Sequence, residues 1–299
     1  MVATERSLST EDLTEALTVV CAAAGLDPRG ATLVRYLQNA VFRLRAAPVV
    51  VRIVGTRSLA HRVDKVVRIA DWLAESGVPA VRLVSGIEQP VRVGEYLATV
   101  WHAVSGEGPR PRGRDLARVL RQVHSLPVPA FPLPTWDPLS DILRRIQQST
   151  SITADERQSL LSCCALVEDR LNELEFPLSR SVVHGDAHLG NLIPSSDGPV
   201  LCDFDSTCVG QPEWDLVPLA VGVLRFGEPI GRYRELCRAY GVDVMSWDGF
   251  PVLRALRELK IATSVLPMVD ANPAVGPEMK RRLADVRHGN TGTRWRRYA

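Results

Sequence analysis

Two acids and an amide in this chain stand at intervals that could align a hydroxyl and hold a divalent cation. In His184-Gly185-Asp186-Ala187-His188-Leu189-Gly190-Asn191, Asp186 precedes Asn191 by five residues. Cys202-Asp203-Phe204-Asp205 follows after a short apolar strand. A carboxylate on a loop can accept or orient the proton of an attacking hydroxyl. An amide and a second carboxylate suffice for Mg²⁺ beside phosphates, because this hard ion prefers oxygen ligands and keeps several waters. The spacing points to ATP-dependent phosphoryl transfer, with Asp186 catalytic and Asn191 and Asp203 as metal ligands.

Simpler readings compete. An isolated His-Gly-Asp is weak, since His and Asp are common in turns. His184 and His188 are four residues apart and could be taken for zinc ligands, but Gly185 and the β-branched run before it argue against a helix. Asp203 alone could cap the turn Ser195-Ser196-Asp197-Gly198. What separates the pattern from these is its completeness: strand, loop acid, amide, hairpin, strand, second acid.

The elements around this loop are legible in outline. Ser9-Thr10-Glu11-Asp12 reads as a capping box opening a helix, with Leu13, Leu17, Val20, Cys21 and Ala24 as its buried stripe. Strand-like runs at Thr32–Leu37, Ala40–Leu44 and Val49–Val54 suggest an antiparallel meander. Leu59–Ala74 repeats Val63, Val66, Val67, Ala70, Leu73 and Ala74 on one helical face. Val81–Val84 and Tyr96–Val104 are two more β-rich runs. Gly106–Gly113 is a connection, Asp115–Ser125 a helix, and five prolines between 127 and 138 forbid regular structure. Beyond them helices are predicted at 141–149, 153–174, 214–226, 230–240, 247–266 and 276–288. β-rich followed by α-rich is an α+β arrangement.

Composition excludes several classes. The chain has 299 residues, of which 36 are basic and 34 acidic, so its net charge of +2 gives no footprint for wrapping nucleic acid. The tail Arg294-Trp295-Arg296-Arg297-Tyr298 is locally basic and reads as a frayed or surface-docked end. The cysteines, at 21, 163, 164, 202, 208 and 237, form no Cys-x-x-Cys pair, which fits a reducing cytoplasmic compartment. Glu5, Glu11, Asp12 and Glu15 are wrong for a signal peptide, and no apolar run suits a membrane span.

The loop acid, the amide and the second acid match the intervals of the protein-kinase catalytic loop and its Asp-Phe-Gly segment. The segment resembles the aminoglycoside phosphotransferase and choline kinase-like family of small-molecule kinases. Gly210-Gln211-Pro212-Glu213-Trp214-Asp215-Leu216 is similar to the family stretch that opens a helix, and implies that Asp215 braces the catalytic loop. Leu120-Arg121-Gln122-Val123-His124-Ser125-Leu126 resembles the family's linker helix ending in Leu-His. The resemblance implies a bilobal protein-kinase-like fold: a small β-rich nucleotide-binding lobe over 1–104, and a larger helical lobe over 105–299 with the catalytic loop and acceptor site. It also implies ATP, with GTP the alternative donor, Mg²⁺, a small-molecule acceptor, and a monomer or homodimer. His188 stands where a kinase often carries a lysine, and is assigned to the transferred phosphate.

At the nucleotide end, Arg52 in Val49-Val50-Val51-Arg52-Ile53 is a candidate for the phosphates, its planar donors able to fork onto two oxygens. The competing reading makes it the outward residue of an alternating strand. Where the family has Arg-Glu on the next helix, this chain has Asp64-Lys65-Val66, which leaves the expected ion pair open. Gln38-Asn39-Ala40 replaces a glycine-rich loop. The adenine is expected near Trp101, His102 and Ala103, bonding to backbone; Trp101 reads equally as a core aromatic.

The leading acceptor is amine-bearing, an aminoglycoside-like antibiotic or aminosugar, and would make the chain a determinant of antibiotic resistance. Such an acceptor needs an acidic wall, for which Glu213, Glu258, Asp270 and Glu278 are candidates, each also readable as a solvated surface charge. Trp214 could stack on a ring or pack beneath Asp215. The alternatives are a kinase of a metabolic amino-alcohol such as choline or homoserine, and a non-catalytic nucleotide-binding chain, the latter motivated by the missing helical glutamate.

Overall fold

The computed structural model describes residues 10–36, 39–55, 61–270 and 272–298. Ser9 of the expected capping box, Leu37 and Gln38 of the first hairpin, and Leu59 and Ala60 of the second helix lie outside the described residues. The first part of the chain runs α1 (Thr10–Ala23), β1 (Thr32–Tyr36), β2 (Asn39–Arg43), β3 (Val49–Val54), α2 (Val63–Glu75), β4 (Val91–Val93), β5 (Tyr96–His102). Then come α3 (Gly113–Ser125), α4 (Ser140–Gln148), α5 (Ala154–Asn172), β6 (Ser181–Val183), β7 (Leu192–Ile193), β8 (Val200–Leu201) and β9 (Cys208–Gly210). Four helices complete it: α6 (Glu213–Phe226), α7 (Ile230–Tyr240), α8 (Phe250–Thr263) and α9 (Gly276–Arg287). The class is α+β, with kinase-like architecture.

Two compact units emerge. One gathers the chain up to Pro111 with Pro129–Leu133 and Gly190–Thr207; the other holds Arg112–Val128, Pro134–Leu189 and the chain from Cys208. In the first, five antiparallel strands lie in the order β1-β2-β3-β5-β4. Val49, Val51 and Ile53 alternate along β3 and join Phe42, Ala98 and Val100 in a core closed by Leu13, Ala16, Leu17 and Val20 of α1. Each Val, Leu or Ile so buried contributes about 1.5–3 kcal/mol. The two-residue period that turns Ile53 into this core turns Arg52 to the opposite face.

The expected strand at Val81–Val84 is corrected. Its hydrogen bonds are split: Val81 N donates to Leu201 O, while Val84 N donates to Val100 O. With partners on two different segments it makes isolated bridges at Ala80 and Leu83 rather than a ladder. The edge strand is instead Val91–Val93, paired to β5.

In the second unit α3 packs along α7, and α8 contacts α4, α5, α6 and α9. Gly113 permits the first of these, since a Cβ there would lie 1.8 Å from Arg232 O of α7. α5 opens on a capping box: Thr153 Oγ1 accepts from Glu156 N, and Glu156 Oε2 from Thr153 N. The basic tail is docked. Trp295 is 4% exposed, its indole N–H donates to Asp285 Oδ2 at 2.8 Å, and the Arg225 guanidinium lies 4.4 Å from its ring. Among the described residues no helix is long and apolar enough to cross a membrane.

Candidate active site

The signature is divided between the two units, with His184–Leu189 in the helical one and Gly190–Asp205 in the sheet-bearing one. In the helical unit β6 pairs antiparallel with β9 and delivers His184-Gly185-Asp186 from its end. Gly185 has φ +81°, a left-handed turn that other residues resist. The loop backbone is gripped by Asp215 at the start of α6. Its Oδ2 accepts from His184 N at 2.6 Å and its Oδ1 from Gly185 N at 2.8 Å. Asp215 is fully buried, and His124, the last histidine of α3, reaches it through Nε2 at 3.1 Å while its Nδ1 meets Tyr240 Oη at 2.8 Å. The two stretches that carried the family resemblance outside the loop thus meet at one carboxylate. Trp214 does not stack on solvent: it is 2% exposed and donates its indole N–H to Gly185 O.

Asp186, released beyond this brace, meets cations from α8. Arg257 Nη1 donates to Oδ1 at 2.5 Å, and Lys260 Nζ lies 3.9 Å from the same oxygen and 3.2 Å from Gly185 O. His188 Nε2 is 3.9 Å from Oδ2, a charge contact beyond hydrogen-bond length. Burial pushes the Asp186 carboxyl up, but the Arg257 charge, then Lys260 and His188, outweigh it and hold its pKa far below the usual carboxylate range. Burial in turn lowers the Lys260 ammonium. Coulomb attraction for one such pair is about 4 kcal/mol at an effective dielectric of about 20, and the desolvation penalty is several kcal/mol per ion.

In the sheet-bearing unit β7 and β8 form a two-stranded ladder around the Ser195–Gly198 turn. Cys202 N donates to Asn191 O at 2.9 Å, so Asn191 and Asp203 leave the ladder beside a locked backbone pair. Asn191 is 3% exposed. Asp203 has φ +69°, the one non-glycine with positive φ among the described residues. That conformation costs on the order of 1–3 kcal/mol and concentrates at functional sites. An amide oxygen and a carboxylate are donors that fit Mg²⁺, which takes its remaining ligands from water and phosphate. No group of three or more His, Cys, Asp or Glu suited to a metal occurs among the described residues.

Arg52 points into this half-site, with its side chain 16% exposed, and Nη2 pairs with Asp205 Oδ2. Burial raises the Asp205 pKa, and the Arg52 charge, a hydrogen bond with Asp203 and the Lys65 charge more than reverse that. Lys65 of α2 donates Nζ to Asp205 O at 2.6 Å and Thr207 O at 3.0 Å. The helix that should present a glutamate presents a lysine. Asp64 does not substitute: it holds Arg92 with both oxygens at 2.8 Å, at an exposed position.

Three expectations are narrowed. His102 N donates to Arg82 O and Ala103 N to Pro48 O, each at 2.8 Å, so neither amide has a hydrogen left for an adenine. Trp101, 7% exposed, packs on Phe204 with centroids 6.3 Å apart, as a core aromatic does. Each acid expected to form an acidic wall has partners of its own among the described residues. Glu258 is 4% exposed with its oxygens bound by Arg225 and Arg254. Glu213 is fully buried, accepts from Leu178 N, and has its pKa raised by burial. Asp270 accepts from Thr150 and Ser151 hydroxyls, and Glu278 binds Arg281 and Arg282. The residues that sequence reasoning missed are Arg257, Lys260 and Lys65. The one signal for the first two was their three-residue spacing, which places them on one side of α8 next to its apolar stripe.

Residues 33–259 match the profile of the APH family, described as a phosphotransferase enzyme family. No curated protein matches the sequence. The chain is similar in structure to an amicoumacin kinase solved with AMP-PNP, Ca²⁺ and amicoumacin: TM-score 0.70, 15% identity, covering 96% of this chain and 98% of that one. It is similar to the choline kinase LicA from Streptococcus pneumoniae at TM-score 0.67 and 15% identity, covering 93% and 98%. It is also similar to an aminoglycoside phosphotransferase from Streptomyces rimosus at TM-score 0.62 and 20% identity, covering 83% and 98%.

Proposed function

This chain belongs to the phosphotransferase enzyme family, and from that premise we propose that it transfers the γ-phosphoryl group of ATP to a hydroxyl of a small molecule. The observation that carries the reading is the double grip on the signature. Asp215 fixes the backbone ahead of Asp186 through two amides, and the Asn191–Cys202 bond fixes the backbone that presents the amide and second carboxylate. Catalysis of this kind is mainly positioning and electrostatics, so rigidly held side chains are what it requires.

Asp186 aligns the acceptor hydroxyl and takes its proton as the oxygen attacks. Its depressed pKa favours the ionised form, which suits alignment better than strong basicity. Asn191 and Asp203 would hold Mg²⁺, which when bound neutralises charge on the donor phosphates. Arg52 is the cation left to face those phosphates, and Asp205 rather than a helical glutamate orients it. Lys65 pins the Asp205 and Thr207 carbonyls, so the Arg52–Asp205 pair is set in a fixed loop. Two neighbours bind nucleotide analogue with a divalent ion or act on choline, which supports this donor chemistry without naming the acceptor.

The test is magnesium-dependent ATP binding together with phosphoryl transfer across hydroxylated acceptors of differing charge. Asp186→Ala should abolish transfer and keep nucleotide binding. Absence of both nucleotide binding and transfer in the parent protein would overturn the reading.

A further inference from the structure

The charges near Asp186 run against an amine-bearing acceptor. In the helical unit, Arg257 and Lys260 approach its Oδ1, and Arg145 adds a third positive charge in the field of Lys260. The acid facing them, Asp141, is itself held by Arg144 at 2.5 Å. Of the carboxylates that could have welcomed an ammonium, Glu258 is held by Arg225 and Arg254, and Glu213 is fully buried with Oε1 bonded to Leu178 N.

Arg257 is the decisive residue. Its side chain is only 10% exposed, yet its one hydrogen bond among the described residues is from Nη1 to Asp186. Nε is buried and has no partner. Burying a donor unpaired costs about 1–3 kcal/mol, a cost that a bound oxyanion would relieve. The edge of a guanidinium formed by Nε–H and Nη2–H is the geometry that takes two oxygens of a carboxylate or phosphate side-on. Here the Nε side of that edge is buried without a protein partner, while Nη1 of the same group rests on Asp186. Lys260 supplies a second cation, one that stands over the Trp214 ring at 5.7 Å and makes only a 3.2 Å bond to Gly185 O.

We propose that the acceptor is a hydroxylated anion, a hydroxy acid or sugar phosphate, whose oxyanion is taken side-on by Arg257 with Lys260 while its hydroxyl lies at Asp186. This rests on the phosphotransferase reading above and names its substrate class. In the protein without acceptor, Arg257 is drawn to Asp186; an arriving anion shares the guanidinium and frees Asp186 for the hydroxyl. The transferring phosphoryl group is the other possible source of an oxyanion, and the experiment separates the two.

Three acceptor probes of equal size differ in charge: glycerate, glycerol and 2-aminopropane-1,3-diol. Their affinities are measured calorimetrically with Mg²⁺ and a non-hydrolysable ATP analogue, on the parent protein and on Arg257→Gln and Arg257→Lys. The expected result is that glycerate binds best by roughly tenfold, as a charge-assisted bidentate contact provides. Both substitutions should erase that preference, because lysine keeps the charge and lacks the fork. Equal or tighter binding of the amine, no binding of glycerate, or full preference retained in Arg257→Lys would each overturn the proposal. So would a loss in Arg257→Gln that falls on the nucleotide analogue as heavily as on glycerate, since that assigns the arginine to the donor's phosphates. Magnesium-dependent nucleotide binding without any glycerate preference sinks the anion site alone. Its absence sinks the phosphotransferase reading as well.

Discussion

The two signature carboxylates, Asp186 and Asp205, are held by the same pair of residue types in different ways. Each meets an arginine side chain, Arg257 or Arg52, and each has a lysine, Lys260 or Lys65, donating to a backbone carbonyl beside it. The difference lies in who fixes the backbone. The loop before Asp186 is pinned by Asp215, His124 and Trp214, apart from the cations of α8. The segment after Asp203 is gripped by Lys65, which donates to the carbonyls of both Asp205 and Thr207. On the proposed function, similar charges would do different work: exchangeable near Asp186, structural near Asp205.

Removing the carboxylate itself gives the largest effect. Asp186→Asn keeps an oxygen for Arg257 and removes the charge, and transfer should fall roughly 10²–10⁴-fold, far more than the accompanying loss of stability accounts for. Steady-state kinetics beside a thermal scan decides it; near-parental turnover would remove Asp186 from the chemistry. Next comes the brace. Asp215→Ala strands two buried amides and His124, at about 1–3 kcal/mol for each unpaired group, and should cost about 3 kcal/mol or more in denaturant unfolding. A loss under about 1 kcal/mol would mean that the loop before Asp186 is no better braced than the one after Asp203.

Acid sharpens the same contrast. Because Arg257, Lys260 and His188 together depress the Asp186 pKa against its burial, the ionised carboxylate contributes stability that is present above the unfolded value, near 4 for Asp, and is lost only as pH falls through the much lower folded value. The acid limb of kcat/KM in the parent should therefore not report Asp186. In Arg257→Gln the strongest opposing charge is gone, and the acid limb should move upward toward the ordinary carboxylate range. An unmoved limb would show that Arg257 does not govern this group.

The lysines test the division directly. Lys65→Met removes two short bonds to carbonyls and should cost about 1–2 kcal/mol, whereas Lys260→Met removes one longer bond and should cost about 1 kcal/mol or less. Equal losses would erase the distinction between a structural and an exchangeable lysine.

What the sequence revealed follows from the range of the interactions. β3 was legible to the residue, Val49–Val54, because alternation against a core is written locally. Helices α6, α7 and α9 were legible within a residue at each end for the same reason. Val81–Val84 misled because it is apolar and β-branched yet divides its bonds between Leu201 and Val100. Val91–Val93 was hidden by its brevity and by Arg92 at its centre. At the site, the strand–loop–hairpin order marks the acids, but not what they touch. Arg257 is distant in sequence from Asp186 and stands beside the more conspicuous Glu258, which packing turns toward Arg225 instead. One position along α8 separates the residue that faces the loop acid from the one that faces away, and periodicity alone does not say which side is which.

Asp64 gives the smallest effect and the cleanest check on the sheet-bearing half. It is the acid nearest in sequence to the expected glutamate, and in the structure it is about half exposed and forked onto Arg92, itself as exposed. Such surface pairs contribute about 0–1 kcal/mol. Asp64→Ala should thus change stability by about 0.5 kcal/mol at most and leave ATP affinity where it was, because Arg52 takes its counter-charge from Asp205. Asp205→Asn supplies the contrast: it leaves Arg52 largely buried against a neutral amide and should weaken nucleotide binding measurably. A titration in which Asp64→Ala weakens ATP as much as Asp205→Asn does would return the orienting role to α2, and with it the arrangement that the family resemblance had suggested.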